Sequence, residues 1–173
     1  ENKVLEPIED KKAVADIALE GIDCKPAVFT DLHYPLTDNE VKKYRWLGEE
    51  VEEILMEAAA EVEPGLTEKE VETLLRKKFA EKDMLGIVVL IGSDDRIKKY
   101  RHPVPTSKKI ENTVMLAPAV QKWGLTVPVT RMIYWGSSLP RELKDKYQAL
   151  CEIEASTLAS CQPGRKFNDI LKM

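Results

Sequence analysis

Residues 61–71, with the sequence EVEPGLTEKEV, contain the signal that decides the fold of this chain. The pair Pro64-Gly65 ends a helix, because proline cannot continue a helix and glycine readily forms its C-terminal turn. Thr67 and Glu70 have the spacing of a capping box, in which each side chain binds the other residue's backbone N–H group. The stretch therefore predicts two consecutive helices joined by a short turn.

Apolar residues at helical spacing support both predicted helices. Before the turn, Thr37 and Glu40 form another capping-box pair, and apolar residues then recur in steps of three and four. After the turn, four apolar residues share the inner face of the second helix: Val71, Leu74, Leu75 and Phe79. The opposite face of the first helix is rich in glutamate, which is typical of a solvated surface.

Strand patterns follow the two helices. The apolar run at 87–91 is rich in β-branched residues and predicts a buried strand. Two further runs, 113–119 and 126–135, are joined by a turn at 122–124 and predict a hairpin. Pro128 lacks an N–H group, so the second hairpin strand is expected to lie at a sheet edge or to carry a bulge.

The remaining segments are expected to connect or to flank these elements. Residues 93–109 are polar and basic, and the prolines at 103 and 105 predict an extended loop without a helix. A last helix is predicted from Pro140 to about Ser160. The domain itself is expected to span residues 37–173.

Residues 1–36 have a mixed pattern with three prolines. They are expected to be a lead-in or linker from an upstream region, with a short helix at 10–20 and a strand at 27–30. Because the chain begins at Glu1 without methionine, we expect that a start or signal segment preceded it.

The composition narrows the class of protein. The 173 residues fit one domain, and an apolar fraction of 43% suffices for a packed core. No segment approaches the roughly 18 consecutive apolar residues of a membrane span, so a membrane is not an expected partner. A formal net charge of −4 argues against nucleic acid as a partner. Three scattered cysteines form neither a disulfide framework nor a CxxC zinc pattern, and two are expected to pack as small hydrophobic residues: Cys151 and Cys161.

The sequence also contains two similar motifs far apart along the chain. Pro64-Gly65 has a counterpart in Pro163-Gly164, 99 residues later, and a Lys-Tyr pair stands near the start of each preceding helix. Two explanations stay open: the chain contains two related structural units, or the similarity is a coincidence, since Pro-Gly often follows a helix. If it is a repeat, we expect a second unit of similar size to follow, so that the chain is truncated.

Together these motifs resemble the pita-bread superfamily, which includes methionine aminopeptidase, aminopeptidase P, prolidase and creatinase. The resemblance covers roughly residues 37–173. It consists of the helix ending in Pro-Gly-x-Thr-Glu, the apolar strand, the His-Pro-Val-Pro loop at 102–105, and a hairpin with Thr-Arg at 130–131 before Gly136. It implies an α/β (α+β) fold: the first half of a pita-bread domain, with long helices packed on a curved, largely antiparallel sheet.

The resemblance also implies a metal site, from which this sequence departs. Peptide-hydrolysing members bind two divalent ions, such as Mn, Co or Zn, through two aspartates of the first-half hairpin and through His and Glu residues of the second half. Those aspartates correspond to Ala117 and Pro128, which have the family's spacing of 11 residues. Neither side chain binds a metal, and residues 114–131 contain no carboxylate. We therefore expect no metal cofactor, unless second-half ligands hold one in an active enzyme.

The resemblance further suggests residues that contact a substrate. His102 corresponds to the family's loop histidine, which contacts substrate or shuttles a proton. Arg101, Trp123 and Arg131 are candidate substrate contacts. Each also has a structural alternative: His102 is then an exposed loop residue beside Arg101, Trp123 packs on the neighbouring helix, and Arg131 pairs with an acidic helix residue. His33 has no recognisable partner and is expected to have no role.

Basic residues surround His102 in the sequence: Lys98, Lys99, Arg101, Lys108 and Lys109. A loop exposed to solvent accounts for these basic residues, and no bound ligand is then needed. Recognition of a carboxylate, such as a peptide C-terminus, is the functional alternative.

Three functions remain open at this point. The first is a metal-free, non-hydrolytic relative that binds a peptide or small molecule in a retained pocket. The second is an active Xaa-Pro peptidase with an atypical site, and the third is a protein-binding scaffold. Because half of a two-half fold exposes apolar surface, self-association or binding of the missing half is expected. A cytoplasmic location is favoured.

Overall fold

The computed structural model describes residues 14–15, 17–18, 22–25 and 35–172. Two long helices pack on one face of an antiparallel sheet, and a further helix follows the sheet. This arrangement confirms the α/β (α+β) class that the sequence predicts. Within the described segments, no helix is both long and apolar enough to cross a membrane.

The N-terminal region differs from the sequence-based expectation where it is described. Val14–Ala15 (β1) and Asp23–Cys24 (β2) form a short parallel pair. The helix predicted over 10–20 is therefore wrong at β1, because the backbone of these residues pairs with another segment instead of with the next helical turn. The strand predicted over 27–30 and His33 lie outside the described residues.

Capping boxes begin the two long helices, α1 (Asp38–Glu61) and α2 (Glu68–Glu81). At α2, the Thr67 hydroxyl accepts a hydrogen bond from the Glu70 N–H at 3.2 Å, and the Glu70 carboxylate accepts one from the Thr67 N–H at 2.7 Å. The equivalent pair of bonds opens α1. Between the helices, Gly65 has a φ of 100°, which side chains with a Cβ rarely adopt. The predicted helix–turn–helix is thus confirmed.

The main sheet has four strands in the described part of the chain: β3 (Leu85–Ser93), β4 (Thr113–Lys122), β5 (Leu125–Pro128) and β6 (Arg131–Tyr134). The central strand is β4, which pairs antiparallel with β3 on one side and with β5 and then β6 on the other. The second hairpin strand is therefore interrupted at 129–130. Pro128 ends β5 at the sheet edge, as its missing N–H group predicts.

The core lies between α1, α2 and one face of the sheet. Its fully buried residues come from all of these elements: Leu47, Val51, Leu55, Ala58, Val71, Leu75, Phe79, Ile91, Val114, Leu116 and Val120. Every second residue of β4 from 114 to 120 is buried, which is the alternation expected of a strand covered on one side. The opposite side of the sheet consequently remains accessible.

A short helix, α3 (Asp95–Lys99), follows β3. The expectation of a helix-free loop over 93–109 is wrong at this point. Proline restricts itself and the residue before it, so Pro103 and Pro105 do not restrict residues as far upstream as α3. The rest of this loop contains no further helix.

The last long helix, α4 (Arg141–Ser160), begins and ends where the sequence predicts, and the short helix α5 (Phe167–Ile170) follows it. Gly164 has a φ of 82° and so resembles Gly65 in conformation. Each of the two Pro-Gly turns precedes a helix that begins four residues after the proline. The two turns differ at the helix cap, because Thr67 and Glu70 form a capping box and Lys166 forms no side-chain cap, so the repeat stays a prediction.

Most apolar side chains of α4 face solvent. Four of them are more than half exposed: Tyr147, Leu150, Ile153 and Leu158.

All three cysteines of the chain are free. Cys151 is half-buried, but Cys161 is exposed, so the expectation that both pack as small hydrophobic residues is wrong at Cys161, which follows the exposed end of α4.

A buried carboxylate joins α2 to the sheet and to the loop that precedes β4. Glu68, the first residue of α2, is fully buried. Its Oε1 accepts hydrogen bonds from the Ser93 N–H and hydroxyl, at 2.9 and 2.8 Å, and from the Arg96 Nε at 3.0 Å. Its Oε2 accepts bonds from the Thr106 N–H and hydroxyl, at 2.9 and 2.7 Å. The carboxylate thus connects the end of β3, α3 and the far end of the loop.

These contacts also determine the ionisation of Glu68. Burial by itself would raise its pKa, but hydrogen bonds from Thr106 and Ser93, together with the charge of Arg96, hold the pKa below the ordinary value for glutamate. A carboxylate with a lowered folded-state pKa stabilises the fold above its unfolded-state pKa. That stabilisation is lost as the pH falls through the folded-state value.

Substitution of a fully buried leucine tests the position of the core. We expect Leu55→Ala to lower the free energy of unfolding by about 2–5 kcal/mol, because it leaves a cavity between α1 and the sheet. The neighbouring Met56 is 59% exposed, so Met56→Ala serves as the control and should change stability by less than about 0.5 kcal/mol. Urea denaturation measures both, and equal effects would contradict the assigned core face.

The charge of Glu68 has a measurable consequence for stability. We expect Glu68→Gln to lower the free energy of unfolding at neutral pH by about 3 kcal/mol, because the negative charge opposite Arg96 is lost and an NH2 donor replaces one of the two accepting oxygens. The difference from wild type should narrow as the pH falls below the ordinary pKa of glutamate and through the lower folded-state pKa of Glu68, since the wild-type carboxylate then takes up a proton. Glu81→Gln is the control, because that side chain is 61% exposed. A difference that does not depend on pH would contradict this assignment.

Candidate ligand-binding face

Alternate residues of the sheet point away from α1 and α2 and form what we call the open face. The open face consists of Val88, Leu90, Gly92, Met115, Ala117, Ala119, Pro128 and Met132. Leu90 lies opposite Ala117, and Ala119 lies opposite Pro128. Apart from Gly92, these residues are half-buried or exposed, so the open face is both apolar and accessible.

The two positions that the resemblance assigns to metal-binding aspartates lie together on the open face. Ala117 and Ala119 are alternate residues of β4, so Ala117 and Pro128 are diagonal neighbours, a relation that typically spans about 7–8 Å. Neither side chain contains a metal-binding atom. Among the described residues, no group of three His, Cys, Asp or Glu side chains is placed to hold a metal ion. The donor set of the open face therefore does not fit a two-metal centre.

The loop that carries Arg101 and His102 packs against one end of the open face. Pro103 is buried over Gly92, where an added Cβ atom would approach the Pro103 Cγ to 2.6 Å. Only glycine at this position permits such close packing. Because Arg101 and His102 directly precede Pro103 and are exposed, they lie at the border of the open face.

A second carboxylate fixes the start of this loop. The Oδ1 of Asp94 accepts hydrogen bonds from the backbone N–H groups of Asn112 and Thr113, at 2.8 and 3.0 Å. Its Oδ2 accepts bonds from the Glu111 N–H and the Lys108 Nζ, both at 3.1 Å. Burial would raise the pKa of Asp94, but these hydrogen bonds hold its pKa below the ordinary value. These hydrogen bonds connect Asp94, the residue after β3, to the start of β4.

Two of the basic side chains around His102 already have acidic partners. Lys99 pairs with Asp95 at 2.5 Å, and Lys108 has two acidic partners at 3.1 Å. Arg101, in contrast, forms no ion pair with a carboxylate in the described ranges. Its guanidinium group is therefore available to a ligand beside the imidazole.

The other two candidate substrate contacts lie away from this loop. Trp123 occupies the β4–β5 turn, at the opposite end of β4, and packs against Trp46 of α1. Arg131 forms an ion pair with Glu52 of α1, on the helix side of the sheet. Both contacts are the structural alternatives that the sequence offered. A role for either residue in binding the same ligand as His102 stays a prediction.

The sequence analysis missed the residues that hold the loop in position. Glu68 follows a capping residue and looks like an ordinary acidic residue of a first helical turn, and Asp94 looks like the end of a strand. The partners of Glu68 lie 25, 28 and 38 residues away in sequence. No local pattern predicts contacts of that range.

Comparison with known proteins bears on the family and the fold of this chain. Residues 42–173 match the family described as Metallopeptidase family M24. The fold is similar to prolidase from Pyrococcus furiosus, with a TM-score of 0.75 and 21% identity over 83% of this chain and 43% of that chain. It is also similar to X-Pro aminopeptidase from Thermotoga maritima MSB8, with a TM-score of 0.70 and 18% identity over 80% of this chain and 40% of that chain.

A third similar structure is methionine aminopeptidase from Rickettsia prowazekii, with a TM-score of 0.64 and 19% identity over 78% of this chain and 57% of that chain. This chain thus spans less than two thirds of each of these proteins. Among curated protein sequences, none matches it. The structural likeness shows the first half of a pita-bread fold, as the sequence predicts. Since the family match covers most of its length, this chain belongs to metallopeptidase family M24.

Proposed function

We propose that this member of family M24 is a metal-free, non-hydrolytic protein that binds a peptide or small molecule on the open face. The observation that carries the proposal is the presence of Ala117 and Pro128 at the two hairpin positions, among other apolar side chains. Two-metal peptide hydrolysis needs carboxylates that hold the ions and so generate a nucleophilic hydroxide. The open face keeps an accessible surface for a ligand but lacks those two carboxylates.

The chemistry of the open face favours a short peptide with an apolar residue and a free carboxylate. Leu90, Met115 and Met132 offer apolar contact, and the guanidinium of Arg101 offers two parallel hydrogen bonds to a carboxylate. A neutral imidazole both donates and accepts, so His102 suits a peptide group at the border of the face. Because similar structures include a prolidase and an X-Pro aminopeptidase, we propose a proline-containing dipeptide as the ligand class.

The two alternative functions make different predictions. An active Xaa-Pro peptidase with an atypical site, using Mn, Co or Zn, would release free proline from such a dipeptide. A scaffold would bind a macromolecular partner and leave the dipeptide unbound. The absence of both hairpin carboxylates favours a binding protein over a peptidase. The guanidinium of Arg101, which has no acidic partner among the described residues, favours a protein that binds a small carboxylate ligand over a scaffold that binds none.

Calorimetric titration with the dipeptide Ala-Pro tests the proposed site. We expect the wild-type chain to bind Ala-Pro and Arg101→Ala to bind it about tenfold more weakly, because a charge-assisted hydrogen bond is lost. Lys77→Ala is the matched control, since this lysine is 74% exposed on α2, across the sheet from the open face, and binding should not change. No binding by wild type, or equal binding by Arg101→Ala, would overturn the proposal.

We also propose that the chain associates with a second copy of itself through α4. The exposed apolar side chains of this helix form a surface of a kind that monomeric proteins seldom leave in solvent. A two-fold arrangement would bury the same face on both copies, which is the commonest form of self-association.

Sedimentation velocity measures this association directly. We expect a dimer fraction that increases with protein concentration, and a strong reduction of that fraction in the double variant Leu150→Glu with Ile153→Glu, because each dimer would then bury carboxylates. Gln148→Glu adds a charge to the same helix at a polar position and should leave the dimer intact. A monomer at every concentration would contradict the proposal.

A further inference from the structure

Two tryptophans and two lysines at the β4–β5 turn form a surface that is separate from the open face. This Trp–Lys platform consists of Lys43 and Trp46 of α1 and of Lys122 and Trp123. The two indole rings lie 5.1 Å apart between centroids, at an interplanar angle of 46°. The Nζ of Lys122 lies 5.3 Å from the Trp46 ring centroid and 5.4 Å from the Trp123 ring centroid, and the Nζ of Lys43 lies 5.4 Å from the latter. Both lysines are thus within cation–π distance.

The turn holds Trp123 in a conformation that a large side chain disfavours. Trp123 has a φ of 54° and Gly124 a φ of 77°, so both central residues of the turn have positive φ. Asn, Asp and Gly are the residues preferred in such hairpin turns. The indole of Trp123 is nevertheless 51% exposed, so packing on Trp46 uses only part of its surface. An unfavourable backbone conformation that presents an exposed aromatic ring is typical of a contact site.

The platform lysines form no close ion pair with any described residue, although the capping-box hydrogen bonds of Glu40 and, after them, the charge of Lys43 on the same helix lower the pKa of Glu40. In the described part of the chain, neither Lys43 nor Lys122 lies within ion-pair distance of a carboxylate. The neighbouring Lys82, by comparison, pairs with Glu50 at 3.1 Å. Lys122 instead donates a hydrogen bond to the Lys82 carbonyl oxygen at 2.5 Å. The platform therefore complements a ligand that carries both a carboxylate and an apolar group.

An open cavity of about 890 Å³ borders Trp123. Leu85 is 60% exposed and contributes apolar surface to its lining, so an apolar side chain of a ligand can pack there. Its lining also includes Asp83 and the platform residue Lys122, so a ligand carboxylate would be directed away from Asp83 and towards Lys122.

We propose that the Trp–Lys platform docks an acidic, apolar-containing peptide segment of a partner protein. An acidic side chain of the partner would lie between Lys43 and Lys122, and an adjacent apolar side chain would enter the cavity beside Trp123. Stacked aromatic rings with lysines also suit single-stranded nucleic acid. However, α1 continues from the platform with Glu49, Glu50 and Glu53, which repel a long chain of phosphates more strongly than the one or two carboxylates of a short peptide.

The platform does not depend on the function proposed for the open face. Met115 lies opposite Gly92, where the His102 loop packs, and Lys122 follows seven residues further along β4. At about 3.3 Å per residue this separation is roughly 23 Å. A dipeptide on the open face does not reach the platform, so the two proposals succeed or fail independently.

Selection from a random peptide library tests the proposal and defines the sequence that the platform prefers. Random 12-residue peptides displayed on phage are selected against the full chain, and we expect enrichment of peptides in which Asp or Glu adjoins Phe, Leu or Trp. A synthetic copy of an enriched peptide should bind at least tenfold more weakly to Lys43→Glu with Lys122→Glu. It should also bind at least tenfold more weakly to Trp123→Asn. Because asparagine is favoured in this turn, Trp123→Asn should remain folded and at least as resistant to urea as wild type.

Lys69→Glu is the matched charge-reversal control, because this exposed lysine lies in the first turn of α2, far from the platform. Its affinity for the peptide should equal that of wild type. The proposal is overturned if no acidic peptide is enriched, or if Trp123→Asn binds the peptide as tightly as wild type. Tighter binding of a 12-nucleotide oligothymidine than of the selected peptide, lost in the same variants, would overturn it in favour of nucleic acid.

Discussion

The buried carboxylate of Glu68 is the interaction on which the arrangement of the candidate site depends. A buried charge is tolerated only when it is paired and fully hydrogen-bonded, and Glu68 accepts five hydrogen bonds from Ser93, Arg96 and Thr106. These partners belong to the end of β3, to α3 and to the loop before β4. One side chain at the start of α2 therefore determines how the loop with His102 leaves the sheet and returns to it.

The position of that loop gives the open face its border. Helices α1 and α2 cover one side of the sheet, and Pro103 packs over Gly92 at one end of the other side. Ala117 and Pro128, the positions that the resemblance assigns to metal-binding aspartates, lie on this same accessible side and make it apolar. This accessible side is therefore suited to apolar contact, with Arg101 at its border.

Much of the fold follows from local sequence, because its signals act over a few residues. The capping pairs at Thr67 and Thr37 set the starts of the helices, and alternation along β4 identifies its buried side. Other features depend on contacts that no local pattern contains. The network of Glu68 spans up to 38 residues and includes Arg96 of α3, a helix that the later prolines permit but do not predict. The pairing of Val14–Ala15 with a separate segment likewise overrides their local helical pattern.

The candidate site was predictable only in part. The spacing of Ala117 and Pro128 comes from the sequence, but their adjacency comes from the register between β4 and β5, which spacing alone does not define. Likewise, the sequence placed Trp123 in a turn but not its contact with Trp46, which requires α1 to lie beside that turn. Tertiary packing therefore separates Trp123 and Arg131 from the loop residues with which the sequence had grouped them.

The central claim is that the open face binds a peptide without hydrolysing it. Its most direct test is incubation of the full chain with Ala-Pro, with and without added Mn²⁺, Co²⁺ or Zn²⁺. Free proline is measured by mass spectrometry, and protein-bound metal is measured by elemental analysis. The account predicts no release of proline above the buffer control and no stoichiometric metal. Metal-dependent release of proline by protein that retains stoichiometric metal would contradict it.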